Sequence, residues 1–235
     1  MPRPQRWKKE KENRMVSETY ISQLPYWDDL TEGEKETAVR NSVIRRYKKD
    51  NYIYGLHDAC LGMIYVTKGS IRVFIISEGG REVTLFHIAE GESCILSASC
   101  VLDEISLEVQ LMADADTEIL AVQAGAYQKI MESNLKVKCF SYELSSKRLS
   151  SIVWVMQQIL FVHFDERLAR FLIMEYEKTG KAKIQMTQEV IAREVNSARE
   201  VVARMLRQFV EDQWIEMGRG SITLKDIKAL KNLIS

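Results

Sequence analysis

The spacing of apolar residues changes along the chain, and each change predicts a different kind of element. Between about Ile44 and Gln123, short β-branched and aromatic runs are broken at Lys68-Gly69 and at Gly79-Gly80. Such runs predict strands, and the breaks predict the turns of antiparallel hairpins. Many short strands at this spacing are typical of a barrel or jelly roll.

A long helix is predicted over residues 136–163, where apolar residues recur at spacings of three and four. Charged residues almost vanish after Arg148, and Phe161 widens the apolar face. A helix this apolar needs burial on more than one side, and a second copy of the same helix is the simplest partner. A core helix in a monomer is the alternative. The predicted dimer interface consists of Leu149, Ile152, Val153, Met156, Ile159 and Leu160.

Residues 164–235 are predicted to form short helices followed by two short strands around Gly218-Arg219-Gly220. A helix, a tight break, a helix and a small hairpin make the winged helix-turn-helix layout. Thr187 is a good N-cap for the first helix of the pair, and Ser197 is predicted to cap the second. Asn196 lies in the turn, where a positive φ is often needed and Asn tolerates it.

The second helix of this pair is predicted to read base edges in the major groove of DNA. Arg199, Glu200 and Arg204 fall on its outer face, near the N-terminal end that enters the groove. Arg can donate twice to guanine, and Glu can accept from cytosine N4. A merely solvated face is the alternative, but it does not explain why this face, turn and hairpin occur together. The predicted contacts to the DNA backbone are Thr187, Ser197, Arg207 and Arg219.

The composition limits the classes of protein that remain. With 235 residues, 46% apolar and 28% charged, the chain is predicted to be globular and cytoplasmic, without a membrane span or secretory signal. The net charge is zero, so any contact with nucleic acid must come from a local patch. The predicted domains are a flexible tail (1–16), a sensor jelly roll (17–135), a dimerisation helix (136–163) and a DNA-binding domain (164–235).

No catalytic or metal site is predicted. The four cysteines form no CxxC pair, and they are interpreted as buried thiols of a reducing cytoplasm. The three histidines form no HExxH motif, and there is no Walker loop or dinucleotide fingerprint. The chain is therefore predicted not to be an enzyme, and no cofactor is assigned.

The chain resembles the Crp/Fnr family of bacterial transcription regulators over nearly its whole length. "TQEVIAREVNSAREVVARMLRQFVEDQWIEMGRGSITLKD" resembles the family's DNA-binding motif, and "GMIYVTKGSIRVFIISEGGREVTLFHIAEGE" resembles its sensor jelly roll. The resemblance implies an α+β fold with a cyclic-nucleotide-binding-like jelly roll, a dimerisation helix and a winged helix-turn-helix.

It also implies a homodimer, an effector sensed in the jelly roll and double-stranded DNA with TGTGA-like half-sites, with RNA polymerase as a further candidate partner. Asn196 departs from the family, which often has Gly there. The rival class is a ligand-binding module whose helix-turn-helix contacts protein instead of DNA.

The resemblance also guides the expectation for the effector. In the cyclic-AMP branch, a Glu and an Arg-Ser pair hold the ribose and phosphate, but here Leu96 and Ile105-Ser106 occupy those positions. No Lys or Arg occurs between Arg81 and Lys129, so a buried phosphate would lack a counter-charge. Cyclic AMP in its usual pose is therefore not expected.

Two other sensor branches fit poorly. The chain has no Cys before Cys60 to hold the N-terminal iron–sulfur cluster of the oxygen-sensing branch. Ile95 and Ser97 stand where the carbon-monoxide-sensing branch has its haem ligands. A small neutral or aromatic effector, a redox or haem-based sensor using Cys94 and Cys100, and no effector at all remain open. The predicted pocket consists of Cys94, Leu96, Cys100, Ile105 and Trp154.

Overall fold

The computed structural model describes residues 18–54, 61–95 and 109–234 and shows an α+β chain. The helices are Glu18–Ile21 (α1), Glu32–Arg40 (α2), Ala124–Ser133 (α3), Leu135–Phe161 (α4), Phe164–Thr179 (α5), Gln188–Glu194 (α6), Arg199–Glu211 (α7) and Ile227–Leu233 (α8). The strands are Ser42–Tyr47 (β1), Tyr52–Tyr54 (β2), Met63–Lys68 (β3), Ser70–Ile76 (β4), Glu82–Ala89 (β5), Ser93–Cys94 (β6), Gln110–Ala113 (β7), Thr117–Val122 (β8), Lys183–Ile184 (β9), Ile215–Gly218 (β10) and Ser221–Leu224 (β11).

The first eight strands form two four-stranded sheets, in the orders β1-β8-β3-β6 and β2-β7-β4-β5. The last three form a small sheet in the order β10-β11-β9. A β-rich N-terminal part, a long helix and a C-terminal helix-turn-helix with a small sheet confirm the predicted fold class. The strand β9 was not predicted, because two residues are too few to show alternation.

The two predicted hairpins have different outcomes. Strands β4 and β5 are hydrogen-bonded neighbours across Gly79-Gly80, as predicted. Strands β3 and β4 lie in different sheets, so the hairpin predicted at Lys68-Gly69 is wrong and the chain crosses between sheets there. Gly69 has φ of +86°, and a Cβ at this position would lie 2.6 Å from the Asp116 carbonyl oxygen. Only glycine fits this crossing.

The described chain divides into two compact units, each with its own core. The first unit takes in residues 18–54, 61–71, 88–95 and 113–145. Its core joins residues 21–30, strands β3 and β8, and helices α3 and α4 around the buried Tyr26 and Tyr127. The two rings lie 5.8 Å apart and tilted, an arrangement that aromatic pairs favour. Burial is the largest cause that raises the pKa of Tyr127, to about 12.

The second unit takes in residues 72–87, 109–112 and 146–234. Its core is built around helices α5, α6 and α7 and the small sheet, with Leu172, Ile191, Leu206 and Leu230 fully buried. Helix α5 ends at Gly180, which has the left-handed φ of +67° that glycine allows at a helix end. The β4–β5 hairpin thus belongs to the same compact unit as the helix-turn-helix.

No helix in the described part of the chain combines the length and apolarity needed to cross a membrane.

The long helix predicted over 136–163 begins at Leu135 and ends at Phe161. The four domain bounds predicted from the sequence stay predictions, and the tail predicted over 1–16 lies outside the described residues.

Candidate DNA-binding site

Helix α7 is held by an apolar face that its own domain covers. Val202 and Leu206 are fully buried, and Phe209 packs at 5.3 Å from the ring of Trp214 just after the helix. These residues recur at spacings of four and three, which places them on one side of a helix. Burial of this face fixes which side of α7 points outward.

The three predicted base-reading residues lie on the exposed part of α7. Arg199 and Glu200 occupy its first turn and Arg204 follows one turn later, all with exposed side chains. None of the three forms an ion pair with another residue in the described ranges. Their hydrogen-bonding groups are therefore available to a ligand at the N-terminal end of the helix.

In the turn before α7, one prediction from the sequence is confirmed and another is wrong. Asn196 has φ of +53°, as the sequence predicts. Ser197 does not cap α7, because the helix begins one residue later, with Ala198 as the N-cap and no side-chain cap bond. The Ser197 backbone N–H donates to the Ala192 carbonyl at 2.9 Å, so the turn is closed by the main chain.

The other predicted phosphate contacts lie before α6, within α7 and between β10 and β11. Thr187 caps α6 by accepting a hydrogen bond from the Val190 N–H at 3.3 Å, as predicted. Its hydroxyl proton is still available for donation. Arg207 is exposed on α7 and donates to the Ala203 carbonyl at 3.3 Å, and Arg219 is exposed between β10 and β11. Their roles at DNA stay predictions.

Helix α4 carries an apolar stripe that the described chain does not cover. We use this term for Leu149, Val153, Met156 and Leu160, which are 58%, 45%, 53% and 66% exposed. The spacings of four, three and four are those of a coiled-coil seam. Ile152 and Ile159, also predicted for the interface, are half-buried. Tyr142 is exposed seven residues before Leu149 and extends this spacing, which the sequence analysis missed.

The residues of the predicted effector pocket are only partly described. Leu96, Cys100 and Ile105 lie outside the described residues. The Cys94 side chain is fully buried, an environment that shields a thiol from oxidants. Trp154 is half exposed and lines an open groove of about 580 Å³ together with Leu85, Phe86, Lys147, Ser150 and Ser151.

The groove combines two aromatic rings with polar groups from α4. The buried guanidinium of Arg148 lies 4.9 Å from the ring of Phe86 and supports it. The Ser150 and Ser151 hydroxyls donate to the carbonyls of Ser146 and Lys147 at 3.0 and 3.1 Å, which leaves their oxygen lone pairs free to accept from a ligand. Of the residues that line the groove, only Trp154 was predicted from the sequence, because β5 and α4 residues meet here through tertiary packing.

Comparisons with known proteins agree with this architecture. Residues 44–134 match the cyclic nucleotide-binding domain, and residues 166–233 match the Crp-like helix-turn-helix domain. A crystal structure of a crp/fnr-family protein from Eubacterium rectale is 34% identical, with a TM-score of 0.84 over 91% of this chain and 99% of that one.

Two more distant proteins are also similar to this chain, one in sequence and one in structure. The "Cyclic AMP receptor protein" of Thermus thermophilus is 23% identical over 209 residues, which are 89% of this chain and 96% of that protein. The c-di-GMP-responsive global regulator CLP of Xanthomonas campestris is 19% identical, with a TM-score of 0.70 over 83% of this chain and 100% of that one.

A winged helix-turn-helix behind a cyclic-nucleotide-binding-type domain defines a DNA-binding transcription regulator. The chain belongs to the Crp/Fnr family.

Proposed function

We propose that the protein is a homodimer that binds a palindromic DNA site through Arg199, Glu200 and Arg204. The observation that carries the proposal is the division of α7, whose apolar face is buried while these three side chains are exposed at its N-terminal end. That end of a recognition helix is the part that reaches base edges in the major groove.

The resemblance to the cyclic-AMP branch of the family implies a TGTGA-like half-site, and the residue types suit its guanines and their paired cytosines. Each arginine can donate two hydrogen bonds to O6 and N7 of a guanine, and the carboxylate of Glu200 can accept from a cytosine N4 on the opposite strand. Thr187, Ser197, Arg207 and Arg219 are the proposed phosphate contacts, which add affinity but little sequence choice. Two such helices in a symmetric dimer would read half-sites about 34 Å apart.

Selection from a randomised duplex pool tests this proposal. We expect the full-length protein to enrich inverted TGTGA-like half-sites, separated by about one helical turn. Binding to the enriched duplex should weaken steeply between about 50 and 200 mM salt, because phosphate contacts release counterions. A pool that stays random contradicts DNA reading. It favours the rival function, in which the helix-turn-helix contacts protein.

The proposed site of action is the cytoplasm, where the DNA is, and RNA polymerase is a candidate partner at a promoter. The proposed regulation is by a small effector with an aromatic part, bound in the groove that contains Phe86 and Trp154. Two rings can hold a flat apolar ligand, and Lys147, Ser150 and Ser151 supply hydrogen bonds at the rim. The burial of Cys94 argues against a redox sensor that needs this thiol accessible.

Native mass spectrometry of protein purified from its own host tests for an effector. We expect an added mass that is lost in Trp154→Ala and retained in Trp27→Ala, whose side chain lies in the first unit. An added mass that survives Trp154→Ala would move the site away from the groove.

Cyclic AMP provides a second test, since the segment without Lys or Arg between Arg81 and Lys129 leaves a bound phosphate without a counter-charge. Titration calorimetry with cyclic AMP should therefore give no saturable heat. A clear isotherm would contradict the argument from the missing cation.

A further inference from the structure

Strand β5 is hydrogen-bonded to the turn of the helix-turn-helix, within the second compact unit. The Thr84 N–H donates to Oδ1 of Asn196 at 2.7 Å, and Nδ2 of Asn196 donates back to the Thr84 carbonyl at 3.0 Å. Nη2 of Arg81 donates to the Asn196 carbonyl at 2.8 Å. We call these three hydrogen bonds the latch.

The latch explains a choice of residue that the turn alone leaves open. A φ of +53° suits glycine as well as asparagine. Only the carboxamide supplies both an acceptor for the Thr84 N–H and a donor for the Thr84 carbonyl, which also fixes its orientation. Asn196 is only 7% exposed, so these groups of β5 and Asn196 satisfy each other away from water.

The strand side of the latch is itself held in place. The guanidinium of Arg72, 2% exposed, pairs with Glu82 at 2.7 Å and donates to Oγ1 of Thr84 at 3.3 Å. Because an arginine can only donate, the Thr84 hydroxyl accepts this bond and its own proton remains for another acceptor. It donates to the Arg193 carbonyl, at 3.2 Å, in the last turn of α6.

A further contact lies beside the latch and the Thr84–Arg193 hydrogen bond. Nε2 of His87 is 3.1 Å from a carboxylate oxygen of Glu194, the last residue of α6. Strand β5 thus contacts the C-terminal end of α6 and the turn that follows it. These contacts leave the side chains of Arg199, Glu200 and Arg204 exposed.

We propose that Asn196 is a positioning residue for DNA recognition, because its side chain fastens the helix-turn-helix to strand β5 while the reading residues of α7 stay exposed. The inference rests on the proposed base reading by α7. The fastened state is the one that binds DNA, and without the latch the helix pair samples other orientations. Binding must then select the competent orientation from a wider set, which lowers the apparent affinity.

Asn196→Gly is the sharpest test, since glycine keeps the positive φ and removes only the carboxamide. We expect the variant to bind the duplex selected by the wild-type protein at least fivefold more weakly, a typical size for coupling between sites. The selected sequence and the salt dependence should not change, because no base or phosphate contact is removed. Fluorescence anisotropy at several salt concentrations measures all three.

Hydrogen exchange of the full-length protein shows whether the latch itself has opened. The Thr84 amide should exchange faster in Asn196→Gly, whereas amides in the buried part of α7, such as Leu206, should keep their wild-type rates. Faster exchange at both places would mean that glycine loosens the whole domain. In that case a variant outside the helix-turn-helix is needed to show whether the contact with β5 affects DNA binding.

Thr84→Val provides that variant, because it removes the hydroxyl that bonds Arg193 and leaves the DNA-binding sequence intact. We expect weaker DNA binding, by a smaller factor than in Asn196→Gly. Thr67→Val is the matched control, since its hydroxyl bonds the Glu118 carbonyl at 3.1 Å within the first unit and should leave DNA affinity unchanged.

Wild-type affinity in both Asn196→Gly and Thr84→Val overturns the inference while leaving base reading intact. A changed sequence preference in Asn196→Gly also overturns it, because Asn196 would then act at the DNA itself. A wild-type protein that selects no duplex refutes base reading, and the inference with it.

Discussion

Helices α4 and α7 both carry an apolar face, but that of α7 is buried and that of α4 is exposed. Helix α7 buries Val202, Leu206 and Phe209 in its own domain and exposes Arg199 and Arg204. Helix α4 leaves its apolar stripe exposed, with Leu160 at 66%. The solvent-exposed face of α7 is charged, whereas the solvent-exposed face of α4 is apolar.

The difference indicates what each helix still requires. Helix α7 is complete within one chain, and its exposed charges suit a polar, negatively charged partner such as DNA. The apolar stripe of α4 is exposed in the described chain, and a continuous apolar stripe of this kind marks a protein contact surface. A second α4 offers the same seam spacing and is the partner we propose.

Introducing a charge into the apolar stripe is expected to have the largest effect, because it should disrupt the proposed dimer. Met156→Glu should dissociate the proposed dimer, because two buried carboxylates would face each other across the seam. DNA affinity should then fall by between about a hundredfold and ten-thousandfold, since each half-site is bound separately. Analytical sedimentation and anisotropy measure the two effects.

Gln157→Glu is the matched control, as it adds the same charge one residue away from the stripe at an exposed position. It should remain dimeric. A Met156→Glu protein that stays dimeric would place the interface elsewhere and remove the contrast between the two helices.

Truncating a side chain on the buried face of α7 tests whether this face anchors the helix. Phe209→Ala should lower the free energy of unfolding by about 3–5 kcal/mol, because a fully buried ring leaves a cavity. Urea denaturation followed by far-UV circular dichroism measures it, since fluorescence would mix four tryptophans and Trp214 packs on the ring that is removed. Val210→Ala, on an exposed neighbour, should change stability by less than about 0.5 kcal/mol.

Equal effects of Phe209→Ala and Val210→Ala would mean that α7 is not anchored by this face. The direction of Arg199, Glu200 and Arg204 would then have no structural support.

Removing one of the proposed base-reading residues is expected to have the smallest effect, confined to DNA binding. Arg199→Ala should leave the dimer and its stability intact and cost about 1–3 kcal/mol in binding to the preferred site. Preference should be lost at one guanine position in binding-site selection. Lys228→Ala, an exposed cation on α8, should retain full preference. Unchanged selection by Arg199→Ala would exclude the assigned base contact.

Local patterns predicted the elements and much of the helix-turn-helix. The long helix begins and ends within two residues of its predicted bounds, and the positive φ of Asn196 follows from its place between two periodic segments. Sequence patterns of this kind work because helix periodicity, caps and left-handed turns depend on neighbours along the chain.

Features that depend on distant partners were missed or wrong. Gly69 looks like a hairpin glycine, yet the approach of Asp116 makes it a crossing between sheets. The Lys68-Gly69 pair shows that turn residues reveal where a turn lies, and not what the flanking segments pair with. One local prediction was also wrong: Ser197 has good cap chemistry, yet its N–H bonds the Ala192 carbonyl and α7 begins after Ala198.

The sequence is enough to show that a β-rich domain, a long apolar helix and a helix with a charged outer face follow one another, because each has its own periodicity and turn chemistry. The hydrogen bonds between the Asn196 carboxamide and the backbone of Thr84, 112 positions earlier in the chain, are visible only in the folded protein. Backbone amides and carbonyls are the same in every residue, so no side-chain pattern records which of them a distant carboxamide will meet.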